Sequence, residues 1–147
     1  IRKKTVDALR EIKKSFRMVI ENLPHAVFAH NLDGKIIMVN KISAANTGYS
    51  EQELLKMYVK DIDPLSPSRD DRKNLWLTLK EGSYVQIESI HKRKDGSEFP
   101  VEITISAIML KGEQIMLAIA QDISERKRSE EKINRCRFRY GTYNTAP

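Results

Sequence analysis

Hydrophobic positions along this chain change their period more than once. Between residues 1 and 23, Val6, Leu9, Phe16, Ile20 and Leu23 occupy a and d positions of one heptad register, with Lys13 the polar intruder. This spacing predicts a helix with an apolar seam, ended by Pro24, because the residue before a proline is disfavoured in the helical conformation. Such a seam either packs on the chain's own body or pairs with a second copy, and both readings remain open. From Ala26 the period becomes two, and Leu32-Asp33-Gly34 followed by Lys35 to Val39 reads as a hairpin built on Asp-Gly. Two strands therefore pair early.

Short helices are expected next. The segment Asn40 to Gly48 is rich in Ala and Ser, a helical turn with Gly48 as its left-handed stop and Asn40 bonding neighbouring backbone at the strand end. Ser50-Glu51-Gln52-Glu53 is a capping box ahead of Leu54, Leu55 and Met57, which the pattern expects to be buried. Pro64 and Pro67 break the chain before Ser68, the cap of a helix predicted over Arg69 to Glu81, with Leu75, Trp76 and Leu79 as its buried stripe and Gly82 as its stop. Tyr84 to Lys92, Phe99 to Leu110 and Gln114 to Ile123 then alternate as strands, separated by Lys94-Asp95-Gly96 and Lys111-Gly112. With no strand-helix-strand alternation, the order argues for an α+β domain around one antiparallel sheet.

A chain of 147 residues with 40% hydrophobic content suits one domain plus connecting helix. Its longest apolar run, Ile115 to Ala120, is far too short to span a bilayer, so no membrane contact and a cytoplasmic location are expected. The lone Cys136 excludes an internal disulfide, and His25, His30 and His91 offer no zinc-type spacing, so no metal is expected. The net charge of +6 is unevenly placed. Residues 1–17 carry seven basic and two acidic side chains and residues 125–147 seven and three, leaving a mildly acidic body between two basic arms. Acids interleave with bases in both arms and no base-reading motif is present. Solvated connector faces explain the charge better than a nucleic-acid or other anionic partner. The glycines are isolated turn residues, and no activated nucleophile or acid-base pair stands out, so catalysis is not expected of this chain.

Five segments, in order, resemble the PAS domain family. They are Glu21-Asn22-Leu23-Pro24 opening into Ala26-Val27-Phe28; Leu32 to Ile36 running on to Val39-Asn40; Gly48-Tyr49-Ser50-Glu51-Gln52-Glu53-Leu54-Leu55; Arg93 to Phe99; and Asp122-Ile123-Ser124-Glu125-Arg126-Lys127. The resemblance covers about residues 12–133. It implies a five-stranded antiparallel sheet of order 2-1-5-4-3, short helices over one face, and flanking N- and C-terminal helices. The divisions are then a helix over 1–23, the domain at 24–123, an outgoing helix at 124–134, and a tail at 135–147 that is disordered or foreign to the natural chain.

Aligned to the flavin-binding light-oxygen-voltage members, the alternation turns Phe28, His30, Ile87, Ser89, His91, Val101, Ile103, Ile105, Met116, Ala118 and Ala120 toward a ligand pocket. The cysteine that forms a flavin adduct in those members is matched here by Val59, which excludes the adduct. Their flavin-binding amides are matched by His91, Val101 and Ala120, and the haem-ligating histidine of oxygen sensors by Asp70 or Asp71. Flavin and haem are therefore disfavoured, leaving a small metabolite or no ligand, with His30 and His91 as the ionisable groups near the pocket. Tyr49 and Trp76 are read as core aromatics. Asp122, Ile123, Ser124 and Glu125 match the family's output motif, and Asp122 with Glu125 reads as a cap for the outgoing helix. The resemblance implies a sensory and dimerisation module of a larger signalling protein, most often a sensor histidine kinase, with an output domain in the same polypeptide. The expected homodimer uses the seam Val6, Leu9, Phe16, Ile20 and Leu23 and the outer sheet face near Leu117 and Ile119. A bare dimerisation spacer without ligand is the alternative.

Overall fold

In the computed structural model, which describes residues 2–79 and 83–131, five strands form one antiparallel sheet. They are β1 (Ala26–Asn31), β2 (Ile36–Val39), β3 (Tyr84–Lys92), β4 (Glu98–Leu110) and β5 (Glu113–Asp122), ordered β2-β1-β5-β4-β3 as the resemblance implies. The tight connections explain most of this order, since β1 with β2, β3 with β4 and β4 with β5 are sequence neighbours that pair antiparallel. The remaining step brings β5 against β1, with Phe28 opposite Ala118 and His30 opposite Met116.

The helices are α1 (Arg2–Asn22), α2 (Lys41–Thr47), α3 (Glu51–Leu54), α4 (Val59–Ile62) and α5 (Arg69–Thr78). Asn40 caps α2, Gly48 ends it at φ 80°, and the Ser50-Glu53 capping box forms at α3. Three expectations change. Leu55 is exposed because it falls after the last turn of α3, while Leu54 is fully buried and Met57 partly so. Between α3 and Pro64 the chain forms the separate turn α4, capped where the Tyr58 N–H donates to Asp61 Oδ2, 2.9 Å. Helix α5 ends at Thr78, short of Glu81, and Leu79 leaves the helical conformation with ψ at 85°. Lys80 to Gly82, residues 132–134 of the expected outgoing helix, and the 135–147 tail lie outside the described residues.

The core lies between the sheet's concave face and the short helices. Phe28, Ile36, Leu54, Ile62, Phe99, Val101 and Ile103 form its main cluster, and Leu79, Ala107 and Met116 a second one. Each fully buried large side chain contributes about 1.5–3 kcal/mol, which fixes the helices over the sheet despite their shortness. Tyr49 packs partly buried against the first cluster and Trp76 against the second, as expected of core aromatics. Helix α1 is different: along its length only Ile20 is buried, while Val6, Leu9 and Phe16 are exposed. Among the described residues, then, Val6, Leu9 and Phe16 of the seam are not covered by the body, and Ile20 belongs to that body rather than to the exposed seam. Leu23, past the helix end, is half-buried.

Candidate functional site

The sheet, α4 and α5 enclose a cavity of about 70 Å³. Strand alternation delivers most of its expected lining. β1 supplies Phe28 and His30, β3 supplies Ile87, Ser89 and His91, β4 supplies Ile103 and Ile105, and β5 supplies Met116 and Ala118. Ile87 remains exposed, whereas His30, Ser89 and His91 are buried. Val101 and Ala120 face the same side but lie outside this cavity, contrary to expectation. Asn46 and Thr47 border the region they occupy, and no room for a water molecule remains there.

Half of the polar lining, Asp63, Ser66 and Arg72, comes from residues outside the strands that strand alternation could not reveal. Asp63, 4% exposed, closes α4 and is the hub. Its Oδ1 accepts from the Leu65 N–H at 3.0 Å and the Ser89 hydroxyl at 2.9 Å, and its Oδ2 lies 3.4 Å from His91 Nε2. The His91 ring is held edge-on between Phe28 and Phe99, with centroids 5.9 and 6.0 Å away. Neither histidine meets solvent as a strand-end residue commonly would: His91 is 5% and His30 6% exposed. His30 Nδ1–H donates to its neighbour's carbonyl, Asn31 O, at 3.0 Å. Burial pushes the His30 imidazole down to about 4, with the hydrogen bond to Asn31 opposing and the Arg72 charge reinforcing the shift. It is neutral at pH 7, with Nε2 as an acceptor.

Arg72 is the second omission. It is 5% exposed, and Nη2 donates to Ser66 Oγ at 3.0 Å while Nη1 reaches Leu32 O at 3.4 Å. Its Nε is buried without a hydrogen-bond partner. Burial lowers the guanidinium pKa from its ordinary value, and the charge of Asp33 opposes that. The hairpin turn makes room for it: a Cβ on Gly34 would come within 2.9 Å of the Arg72 guanidinium atoms, and Gly34 has φ at 86°. Thus His30 and His91 are not the site's only ionisable groups. Asp63 carried a faint sequence signal, an Asx residue immediately before Pro64. Arg72 carried a better one, because 72, 75, 76 and 79 follow the i, i+3, i+4, i+7 spacing of the apolar stripe, with Arg72 as its one polar member.

At the output end, Asp122 is the last residue of β5, and the chain is helical over 124–131. The expected capping box with Glu125 is replaced by a tighter corner in which Asp122 Oδ1 accepts from Ser124 N at 2.9 Å and from Ser124 Oγ at 2.5 Å. Ile123 is buried, and its N–H donates to Pro100 O at 3.1 Å, fastening the corner to β4. The outgoing helix also lies against the outer side of the sheet. Arg126 Nη2 is 3.3 Å from both Glu88 Oε1 and Glu102 Oε2, and Lys127 Nζ is 2.8 Å from Glu88 Oε2.

Comparison with known proteins places this architecture. The PAS domain family model matches residues 24–125. The chain is 30% identical over 135 residues, 90% of its length, to the methyl sulfide methyltransferase-associated sensor of Methanosarcina acetivorans. It is 23% identical over 130 residues, 86% of its length, to the sensor histidine kinase TmoS of Ectopseudomonas mendocina. It spans 13% of the length of each of these relatives. Among solved structures, the PAS domain of an HTR-like protein from Haloarcula marismortui superposes with a TM-score of 0.68 at 29% identity, covering 82% of this chain and 99% of that one.

Proposed function

The chain belongs to the PAS domain family, and we propose that it is the sensory and dimerisation module of a larger cytoplasmic signalling protein, a sensor histidine kinase of a two-component system. In this reading, occupancy of the cavity biases two packings of the sheet and its flanking helices. The outgoing helix passes that bias to an output domain in the same polypeptide, and catalysis resides there rather than in this chain.

The observation that carries the reading is the alternation of β3. Ser89 faces the cavity and donates to Asp63, while the preceding residue, Glu88, faces the other side and holds Arg126 and Lys127 of the outgoing helix. One peptide unit therefore joins cavity and output. Glu88 also stands directly opposite Glu102 across the β3–β4 ladder, a like-charge pair that is unfavourable by itself and is bridged by Arg126. A shift of β3 that changes this pairing changes the helix's hold on the sheet. The corner of Asp122, Ile123, Ser124 and Glu125 sets the helix direction.

A cavity of about 70 Å³ is well below the roughly 300–1,000 Å³ of sites for larger ligands. It favours a small metabolite over flavin or haem, and its buried charge disfavours a merely core-filled spacer. The exposed Val6, Leu9 and Phe16 on a helix standing off the body favour a homodimer.

Two measurements test the proposal. Sedimentation at micromolar concentration shows a dimer that Leu9→Asp with Phe16→Asp converts to monomer; a monomeric wild type unaltered by the pair overturns the dimer. Hydrogen exchange of residues 124–131 accelerates several-fold when Ser89→Ala removes the cavity-side bond. Unchanged exchange overturns the coupling.

A further inference from the structure

A buried cation with an incomplete set of partners stands out in this molecule. Among the described residues, no carboxylate lies within ion-pair distance of Arg72. Asp33, the acid whose charge reaches it, is paired at the surface with Arg69. Asp63, the carboxylate that lines the same cavity, is already engaged by Leu65, Ser89 and His91. The guanidinium keeps one good bond to Ser66, one long bond to Leu32, and a buried Nε with no acceptor. Removing a charge from water without a counter-charge is costly, and a guanidinium presents its donors in a planar fork that matches a carboxylate.

We propose that the cavity beside Arg72 takes a short-chain monocarboxylate, its carboxylate on Arg72 and its apolar tail against Ile103, Ile105, Met116 and Leu75. This rests on the reading of the cavity as a sensory pocket and names its ligand class. Size sets the length of the tail: at about 10–15 Å³ for each water-sized sphere, 70 Å³ accommodates roughly half a dozen non-hydrogen atoms, the size of propionate or butyrate. The apolar lining favours a carboxylate with a hydrocarbon tail over inorganic phosphate. The carboxylate accepts from Arg72 through Nε–H, which has no other acceptor, and through Nη2 on the same edge of the fork, so binding draws α5 toward the cavity. Because α5 carries Leu75 and is followed by Leu79 of the second core cluster, the same movement reaches the sheet.

The test titrates the purified chain with propionate and, separately, with propionamide, its neutral counterpart of equal size. Binding is read by methyl chemical shifts of Ile103, Ile105 and Met116. Wild type binds propionate at least tenfold more tightly than propionamide. Arg72→Met, which keeps volume and removes the charge, abolishes that preference, and Arg72→Lys, which keeps the charge without the fork, weakens propionate binding. Equal affinity for acid and amide, or an unchanged preference in Arg72→Met, overturns the carboxylate assignment while leaving a sensory pocket in place. Failure of wild type to bind either compound overturns the assignment as well, and the exchange measurement on residues 124–131 then decides separately whether the module transmits. The wild-type comparison of acid with amide stands even where a variant fails to fold.

Discussion

Asn40 is fully buried and joins three elements, so its replacement should be felt well beyond its own turn. Its Oδ1 accepts from the Ser43 N–H, the cap of α2, at 3.1 Å, and from the Val27 N–H of β1 at 3.0 Å. Its Nδ2 donates to His25 O and to Ile20 O, each at 3.0 Å. The bond to Ile20 has a particular cause. The carbonyl of Ile20 would ordinarily accept from the amide four residues on, but that residue is Pro24, which has no N–H. Asn40→Ala therefore removes a helix cap, at about 1 kcal/mol, and orphans a buried carbonyl, at about 1–2 kcal/mol, while solvent partly replaces the bond to His25. Val27 retains the Ser43 hydroxyl, 3.1 Å away, and is not orphaned. The total is about 3 kcal/mol, or roughly 10 °C in Tm for a chain of this size. Urea unfolding measures it, with hydrogen exchange at residues 18–22 reporting the loosened end of α1. Asn40→Asp keeps the cap acceptor but sets a carboxylate oxygen against two carbonyls, so it should be no more stable than Asn40→Ala. A loss below about 1 kcal/mol in the alanine variant, or near-complete rescue by aspartate, would refute the account.

Other outcomes follow from the site. His30 has a folded pKa of about 4 against about 6.5 unfolded, so the unfolded chain takes the proton first. Its contribution is complete above pH 6.5 and is lost as pH falls toward 4, on the order of 3 kcal/mol; in urea titrations His30→Gln should lose less stability than wild type across that window, and parallel profiles would contradict it. Gly34→Ala forces a non-glycine residue to φ 86° and presses on the Arg72 guanidinium, costing about 1–2 kcal/mol and weakening propionate binding; Arg72→Met should relieve the contact part of the cost but not the backbone part, as a double-mutant cycle will show. Arg126→Ala releases Glu102 and leaves Glu88 held by Lys127 alone, which should speed amide exchange over 124–131 several-fold, an effect that 0.5 M salt reproduces in wild type; a salt-insensitive helix would argue against the ion pairs as its hold.

The strands were legible to within a residue or two at their ends because the turns that bound them, Asp33-Gly34, Asp95-Gly96 and Lys111-Gly112, are explicit, although only β4 alternates cleanly over most of its length. The Ser50 capping box and the Gly48 stop were legible because capping is a local bargain between a side chain and the backbone beside it. Leu55 was misread for the opposite reason. In a helix of four residues, Glu51–Leu54, periodicity has no room to separate an inward leucine from the outward one next to it. The shortening of α5 had no local signal in Leu79, an ordinary helix former that is buried just past the helix end.

The order of hydrophobic and polar residues was sufficient to specify an antiparallel sheet and its hairpins, since period and turn chemistry act between near neighbours, whereas the cavity-facing side of the strands followed from the family resemblance. It also marked α1 as a helix with an apolar seam. Which side that seam faces was decided by packing: the body binds only the last turn, through Ile20 and the bond from Asn40, and leaves Leu9 and Phe16 exposed. Packing likewise brought Asp63 from α4, Ser89 and His91 from β3 and Arg72 from α5 to one cavity, across gaps of up to 28 residues, 91 − 63. Burial gave those residues their character, because a carboxylate or guanidinium becomes a site only when the surrounding chain removes its water and limits its partners.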